Sequence, residues 1–236
     1  KGGDRETIEL PSIQSRLLAE LKKAGKKIVF VNFSGSAIAL TPESKTCDAI
    51  LQAWYPGQAG GTAVADVLFG DYNPAGRLPI TFYKSIQQLP DYEDYSMKGR
   101  TYRFMTETPL YPFGYGLSYT RFTYGDMHLS SETLSENGDL TVSVTVSNVG
   151  NYDGYEIVQL YLHDIYAEIA RPIKELKGFQ KVFLKAGESR EITFKITPDL
   201  LKYYNYELQY VAEPGAFDLM IGTDSQHVKT ATFVLH

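Results

Sequence analysis

Cys47, four scattered histidines and one glycine-rich turn are where chemistry would first be sought in this 236-residue chain, and each has a plainer reading. Cys47 stands between Thr46 and Asp48, ahead of the apolar run Ala49-Ile50-Leu51, with no histidine close in sequence to take its proton. It reads as a small boundary residue. As the sole cysteine it forms no intrachain disulfide, so the fold rests on its cores. His128, His163, His227 and His236 lack metal-ligand spacing, and no cofactor or metal is implied. The turn Tyr55-Pro-Gly-Gln-Ala-Gly-Gly61 lies between a strand-like and a helix-like segment, where backbone N–H groups could cradle a phosphate. Its spacing fits neither G-x-G-x-x-G nor G-x-x-x-x-G-K-[ST], and no acidic residue follows at the distance of a ribose contact. The carboxyl ends of strands in open α/β sheets still face a ligand crevice, so a turn after Trp54 is placed to line a pocket or a domain interface.

The elements that would position these residues change character along the chain. From Leu10 to Gly25, Ile13, Leu17, Leu18 and Leu21 recur at three- and four-residue steps, with Pro11 suited to a first turn and Gly25 to a stop. The lysines at 22, 23, 26 and 27 suit the C-terminal end of that helix as a solvated face. Ile28-Val-Phe-Val-Asn-Phe33 and Ala49-Ile-Leu-Gln-Ala-Trp54 are short continuous apolar runs, as expected of strands covered on both faces in a parallel sheet. Helix resumes over Thr62–Phe69 and stops at Gly70. The alternation predicts a layered α/β domain with a mostly parallel sheet. Residues 71–119 read as an irregular, aromatic-rich stretch with turns at Asn73-Pro74-Ala75-Gly76 and Leu89-Pro90-Asp91.

Beyond Phe122 the period becomes two. Leu140-Thr-Val-Ser-Val-Thr-Val146 alternates apolar and hydroxyl side chains, and 157–162, 177–183, 190–196 and 215–221 continue the series between Gly, Pro and Asn turns. Five or more such strands predict an antiparallel β-sandwich. A net charge of −5 without a basic stripe argues against a nucleic-acid partner, and no apolar run approaches the ~20 residues of a membrane-spanning helix. Lys1-Gly-Gly-Asp-Arg-Glu6 is neither a signal peptide nor a start methionine, so cleavage or an internal start is expected.

Several segments resemble family 3 glycoside hydrolases: Trp54-Tyr-Pro-Gly-Gln-Ala-Gly-Gly61, Ala65 through Pro79, Tyr111-Pro-Phe-Gly-Tyr-Gly-Leu-Ser-Tyr-Thr120, Arg171-Pro-Ile-Lys-Glu-Leu-Lys-Gly-Phe179, Leu184-Lys-Ala-Gly-Glu188 and Glu213-Pro-Gly-Ala-Phe217. The resemblance implies the C-terminal part of the family's six-stranded α/β sandwich over 1–98, a linker over 99–122, and a fibronectin type III-like domain over 123–236. It implies retaining hydrolysis by two carboxylates about 5–5.5 Å apart. Both the nucleophilic aspartate and the acid/base glutamate are expected upstream of Lys1, so this chain alone is expected to be inactive. Gly99-Arg-Thr-Tyr-Arg-Phe104 ahead of Pro109 is most similar to β-xylosidase and α-arabinofuranosidase members, with β-glucosidases related, so a β-xyloside is favoured.

Six residues become substrate-side candidates on that resemblance. Asp4 and Arg5 look like the family's Asp-Arg pair and either clamp a loop beside the crevice or form a structural salt bridge. Trp54 and Tyr55 either stack on a sugar or belong to the core. Arg100 and Tyr102, with Arg103, approach the substrate side or fasten the loop to the sandwich. The expected partners are an oligosaccharide or glycoside and the N-terminal portion of the same enzyme, with a homodimer as the fallback, in a periplasmic or secreted setting. The other reading is a noncatalytic carbohydrate-binding module, which a strip of coplanar surface aromatics would favour.

Overall fold

The computed structural model describes residues 6–236, which fall into two compact units. The first unit comprises residues up to 72 together with 80–101 and 105–112. Its helix α1 (Ser12–Lys23) begins one residue later than the proline signal suggests, because Pro11 is the extended capping residue (ψ 134°) and not the first turn. Lys22 and Lys23 occupy the last turn, where they complement the helix dipole, and Gly25 takes the left-handed conformation (φ 70°) that ends the helix. Strands β1 (Val29–Asn32) and β2 (Ala49–Gln52) pair in parallel, with Val29 opposite Ala49 and Asn32 opposite Gln52. Between them lies a short helix, α2 (Thr41–Thr46), and after them α3 (Gly60–Phe69), closed by a left-handed Gly70. Leu10, Ile38 and Leu40 form the small core of this unit, with Leu18, Phe30, Ile50 and Leu110 against it.

The expected mostly parallel sheet does not form. Among the described residues the unit has one parallel pair, one parallel bridge (Glu9 with Ala39) and one antiparallel bridge (Phe82 with Tyr111). The arrangement is mixed because the two apolar runs yield only four paired residues each, and a two-stranded ribbon cannot cover its own faces. Val29 and Phe33 are accordingly exposed, as are Ile13, Leu17 and Leu21 along α1.

Asp48, just ahead of β2, holds this ribbon's entry. Its carboxylate accepts from the backbone N–H of Ile28 (2.9 Å), Lys27 Nζ (3.1 Å) and Lys22 Nζ (3.3 Å). Those bonds, the Ile28 N–H foremost, hold its pKa down at about 2 from an ordinary 3.8. A carboxylate depressed in the folded state contributes stability above its unfolded pKa and loses it as pH falls through the folded one. The first unit is therefore expected to weaken between about pH 4 and pH 2. An NMR titration should place the Asp48 carboxyl at the lower end of that window, and Asp48→Asn should remove that share of the acid sensitivity.

The second unit comprises 73–79, 102–104 and 113–236. It is a β-sandwich of a three-stranded sheet and a five-stranded sheet. In chain order its strands are β3 (Phe122–Leu129), β4 (Thr133–Leu134), β5 (Leu140–Asn148), β6 (Gly154–Asp164), β7 (Glu175–Leu184) and β8 (Ser189–Ile196). A turn of helix (Pro198–Leu201) and the hairpin strands β9 (Tyr203–Tyr204) and β10 (Tyr210–Val211) precede β11 (Gly215–Gly222) and β12 (Val228–Leu235). The sheet orders are β3-β5-β8 and β4-β12-β11-β6-β7. On β5, Leu140, Val142, Val144 and Val146 are buried while Thr141, Ser143 and Thr145 point away, which is what period two predicts for a strand with one covered face. They meet Val158, Leu160, Leu162, Phe217, Leu219 and Phe233 from the other sheet. Each such side chain stabilises the sandwich by roughly 1.5–3 kcal/mol when fully buried.

Candidate functional site

In the first unit, the parallel register brings the last residues of β1 and β2 side by side. Asn32 Nδ2 donates to Gln52 Oε1 (2.6 Å) and to Ser34 Oγ (3.1 Å), and Gln52 Nε2 donates back to Ser34 Oγ (3.1 Å). The hydrogen-bonded set is neutral, two amides and a hydroxyl, at the carboxyl ends of parallel strands where open α/β sheets bind ligands. The chain then turns at Trp54. Its backbone sits in the left-handed region (φ 54°), which costs a non-glycine residue about 1 kcal/mol or more. The half-buried indole meets Phe82 edge to face at 6.1 Å, and Phe82 in turn meets Tyr111 at 6.3 Å. Tyr55 is 78% exposed, and its ring covers Gly35, where a side chain would collide with it. One short stretch thus combines a strained backbone, an anchored indole and an exposed phenol ring. Such an arrangement suits a ligand with apolar ring faces and hydroxyls at their edges.

The other candidates lie apart from that stretch. Arg100 holds its own loop: its guanidinium donates to the carbonyls of Ser96, Asp91 and Asp94. Tyr102 belongs to the sandwich unit, stacked on Phe113 (4.1 Å between centroids, 15°) and edge-on to Tyr161, with its hydroxyl accepting the Leu176 N–H. Arg103 reaches Glu175 at 3.4 Å. Asp4 and Arg5 lie outside the described residues. Asn32, Ser34 and Gln52 were not picked out from the sequence. Their signal is faint: each polar amide interrupts an apolar run near its end, and only the register makes them neighbours.

The segment around Phe113 is built into the sandwich unit by buried polar groups. Gln159 on β6 donates to the carbonyls of Gly114 (3.1 Å) and Thr223 (2.5 Å) while accepting from the Tyr161 hydroxyl (2.5 Å). Gly114 N–H bonds Leu78 O, and Leu78 N–H bonds Tyr115 O, so residues 73–79 run beside this segment. Arg77 and Glu156 form a buried pair at 2.8 Å, and Tyr124 donates to the other carboxylate oxygen at 2.9 Å. Burial pushes the Glu156 carboxyl up, against the pull of Arg77 and Tyr124. Among the described residues no cluster of His, Cys, Asp and Glu is placed to hold a metal, and no helix is long and apolar enough to cross a membrane.

Comparison with known proteins matches two segments of this chain. Residues 1–119 match the glycosyl hydrolase family 3 C-terminal domain. The chain belongs to glycosyl hydrolase family 3. Residues 156–225 match the fibronectin type III-like domain, and the sandwich just described carries it. A xylan 1,4-β-xylosidase of Xylanibacter ruminicola is 51% identical over 95% of this chain, which spans 26% of that relative. A periplasmic β-glucosidase of Salmonella typhimurium is 45% identical over the whole chain, which spans 32% of it. Among solved structures, a β-glucosidase of Erythrobacter marinus superposes with a TM-score of 0.89 at 41% identity, over 100% of this chain and 31% of that one. The family 3 chain thus corresponds to about a third or less of the length of these relatives.

Proposed function

We propose that this family 3 chain is the C-terminal portion of a retaining, exo-acting β-glycosidase, with terminal β-xylosides as the favoured substrate. The observation that carries the proposal is the match across 95% of the chain, at 51% identity, to a protein named as a xylan 1,4-β-xylosidase. β-Glucosides, acted on by the glucosidases among its relatives, and α-arabinofuranosides are the competing substrates. The two carboxylates of the retaining mechanism belong to the portion of such an enzyme outside this chain. The chain's own residues bind and orient. The Trp54 ring packs on the sugar's C–H face, and the Asn32, Ser34 and Gln52 group supplies hydrogen bonds to hydroxyls or fixes the strand ends that hold Trp54. The exposed apolar residues of α1 suit burial against the remainder of the longer protein. A periplasmic or secreted setting is supported by the Salmonella relative's name.

The competing reading, a noncatalytic carbohydrate-binding module, draws on the exposed Tyr204, Tyr206 and Tyr210 of the β9–β10 hairpin. Tyr204 and Tyr210 are tilted by 42° to one another, which is not the coplanar strip that reading asks for. The test is kinetic, on the full-length protein that contains this chain. The kcat/KM for aryl β-xyloside should exceed those for aryl β-glucoside and α-arabinofuranoside, and Trp54→Ala should lower it about tenfold, the equivalent of ~1.4 kcal/mol of lost stacking. Unchanged kinetics in that variant would remove Trp54 from the site.

A further inference from the structure

Two polar atoms of the sandwich unit are sealed from solvent without a protein partner, and both residues line one small cavity: Asp164 Oδ2, at the end of β6, and Arg171 Nε, ahead of β7. Pro172, Leu201 and Phe217 supply its apolar side, and Glu175 and Lys177 the remainder of its charge. The space available to the centre of a water-sized sphere is about 10 Å³, the lower end of what one water molecule needs.

The surrounding bonds leave these two atoms out. The Arg171 guanidinium lies over the Tyr203 ring at 4.4 Å and reaches Glu175 through Nη2 at 3.5 Å. Glu175 is also held by Lys177 at 3.1 Å and Arg103 at 3.4 Å. Burial raises the Asp164 pKa, with the Arg171 charge and the Tyr166 N–H opposing.

The chemistry of the two orphans restricts what can sit between them. A carboxylate oxygen only accepts and an Nε–H only donates, so a bridging group must do both. An anion meets Asp164 and Glu175, and a cation meets Arg171 and Lys177. An apolar filling leaves both atoms unpaired, at about 1–3 kcal/mol each. A neutral hydroxyl oxygen satisfies both. We propose that one internal water is a fixed part of this sandwich, donating to Asp164 Oδ2 and accepting from Arg171 Nε. It ties the end of β6 to the Arg171-Pro-Ile-Lys-Glu-Leu stretch and so helps fix the connection between β6 and β7.

A sugar hydroxyl carries the same donor and acceptor, and crystals grown without sugar separate the two sources. A high-resolution crystal structure of the chain from such crystals should show one oxygen about 2.7–3.2 Å from both atoms. A direct bond between Asp164 Oδ2 and Arg171 Nε, no oxygen at that position, or an oxygen found only after soaking with xylose would each overturn the assignment. In Asp164→Leu the water should be lost and amide exchange at Glu168 and Ile173 should quicken about tenfold. Asp164→Asn keeps an acceptor oxygen and should retain both the water and the slow exchange. Equal exchange in all three proteins would count against the bridge, and the unmutated crystal decides the matter even if Asp164→Leu does not fold.

Discussion

Replacing Glu156 with alanine is expected to cost the sandwich unit about 3–5 kcal/mol, enough to lower its melting temperature by roughly 6–20 °C. Glu156 is 2% exposed, and both of its oxygens are used, one by Arg77 and one by the Tyr124 hydroxyl. Alanine would strand a guanidinium whose side chain is only 9% exposed, with the carbonyls of Ala75 and Gly76 as its remaining partners. A buried ion pair adds little when intact, because desolvation offsets the attraction, but one half of it alone is an uncompensated buried charge. Glu156→Gln keeps one acceptor oxygen, for Tyr124, and loses the charge and the oxygen that accepts from Arg77, so its cost should be intermediate. The double change Arg77→Met with Glu156→Leu should recover most of the loss. Urea denaturation of the four proteins measures this, and a double variant no better than Glu156→Ala would refute the stranded-charge account.

Gly114→Ala should be comparably severe, above ~3 kcal/mol, for two separable reasons. Gly114 has φ +83°, and a Cβ there runs into Gln159 Oε1 and comes within 2.9 Å of the Tyr161 hydroxyl. Gln159 has no room to retreat, since it is 3% exposed and already holds Gly114, Thr223 and Tyr161. Gly187→Ala is the control. It has nearly the same dihedral, φ +80°, with nothing within 4 Å of the added carbon, so it reports backbone strain alone, about 1 kcal/mol. Equal losses for the two substitutions would mean that the Gln159 network yields more easily than its bonds suggest.

The sandwich was the more legible part of the sequence. The strands β5 and β8 announce themselves because one face of each is buried and the other is not, and a two-residue period records that difference, while β6 and β11 show as apolar runs buried on both faces over much of their length. The predicted ends at Leu140, Ile196 and Gly215 coincide with those of the strands, and the others fall one to three residues short. Strand β3 was harder, since a register shift between Tyr124 and Met127 breaks its alternation. Strand β12 concentrates its buried residues, Phe233 and Leu235, at one end. In the first unit, the two continuous apolar runs predict a covered parallel sheet, whereas among the described residues they pair only with each other. An apolar run states that a surface is to be covered without saying by what.

The candidate site was legible to the same extent. Trp54-Tyr55 stands out as an aromatic pair after a strand, but its left-handed backbone and the Asn32–Gln52 contact beside it depend on strand pairing, which side-chain types do not encode. Arg100 is a candidate through the family resemblance of its segment, and the bonds it makes to three carbonyls of its own loop are not visible in that segment's residue types.

The sandwich unit recruits residues 73–79 and 102–104 from earlier in the chain, and this has a consequence for the order in which the protein is made. Arg77 is synthesised 79 residues before Glu156. At roughly 5–20 residues per second that is an interval of roughly 4–16 s. Throughout it, a guanidinium destined for burial stays hydrated, and Tyr102 likewise waits for Tyr161 and then for the Leu176 N–H, 74 residues behind it. The first unit can begin to compact on the ribosome only with two stretches of its own contour held open, and β6 and β7 are the strands that gather them in.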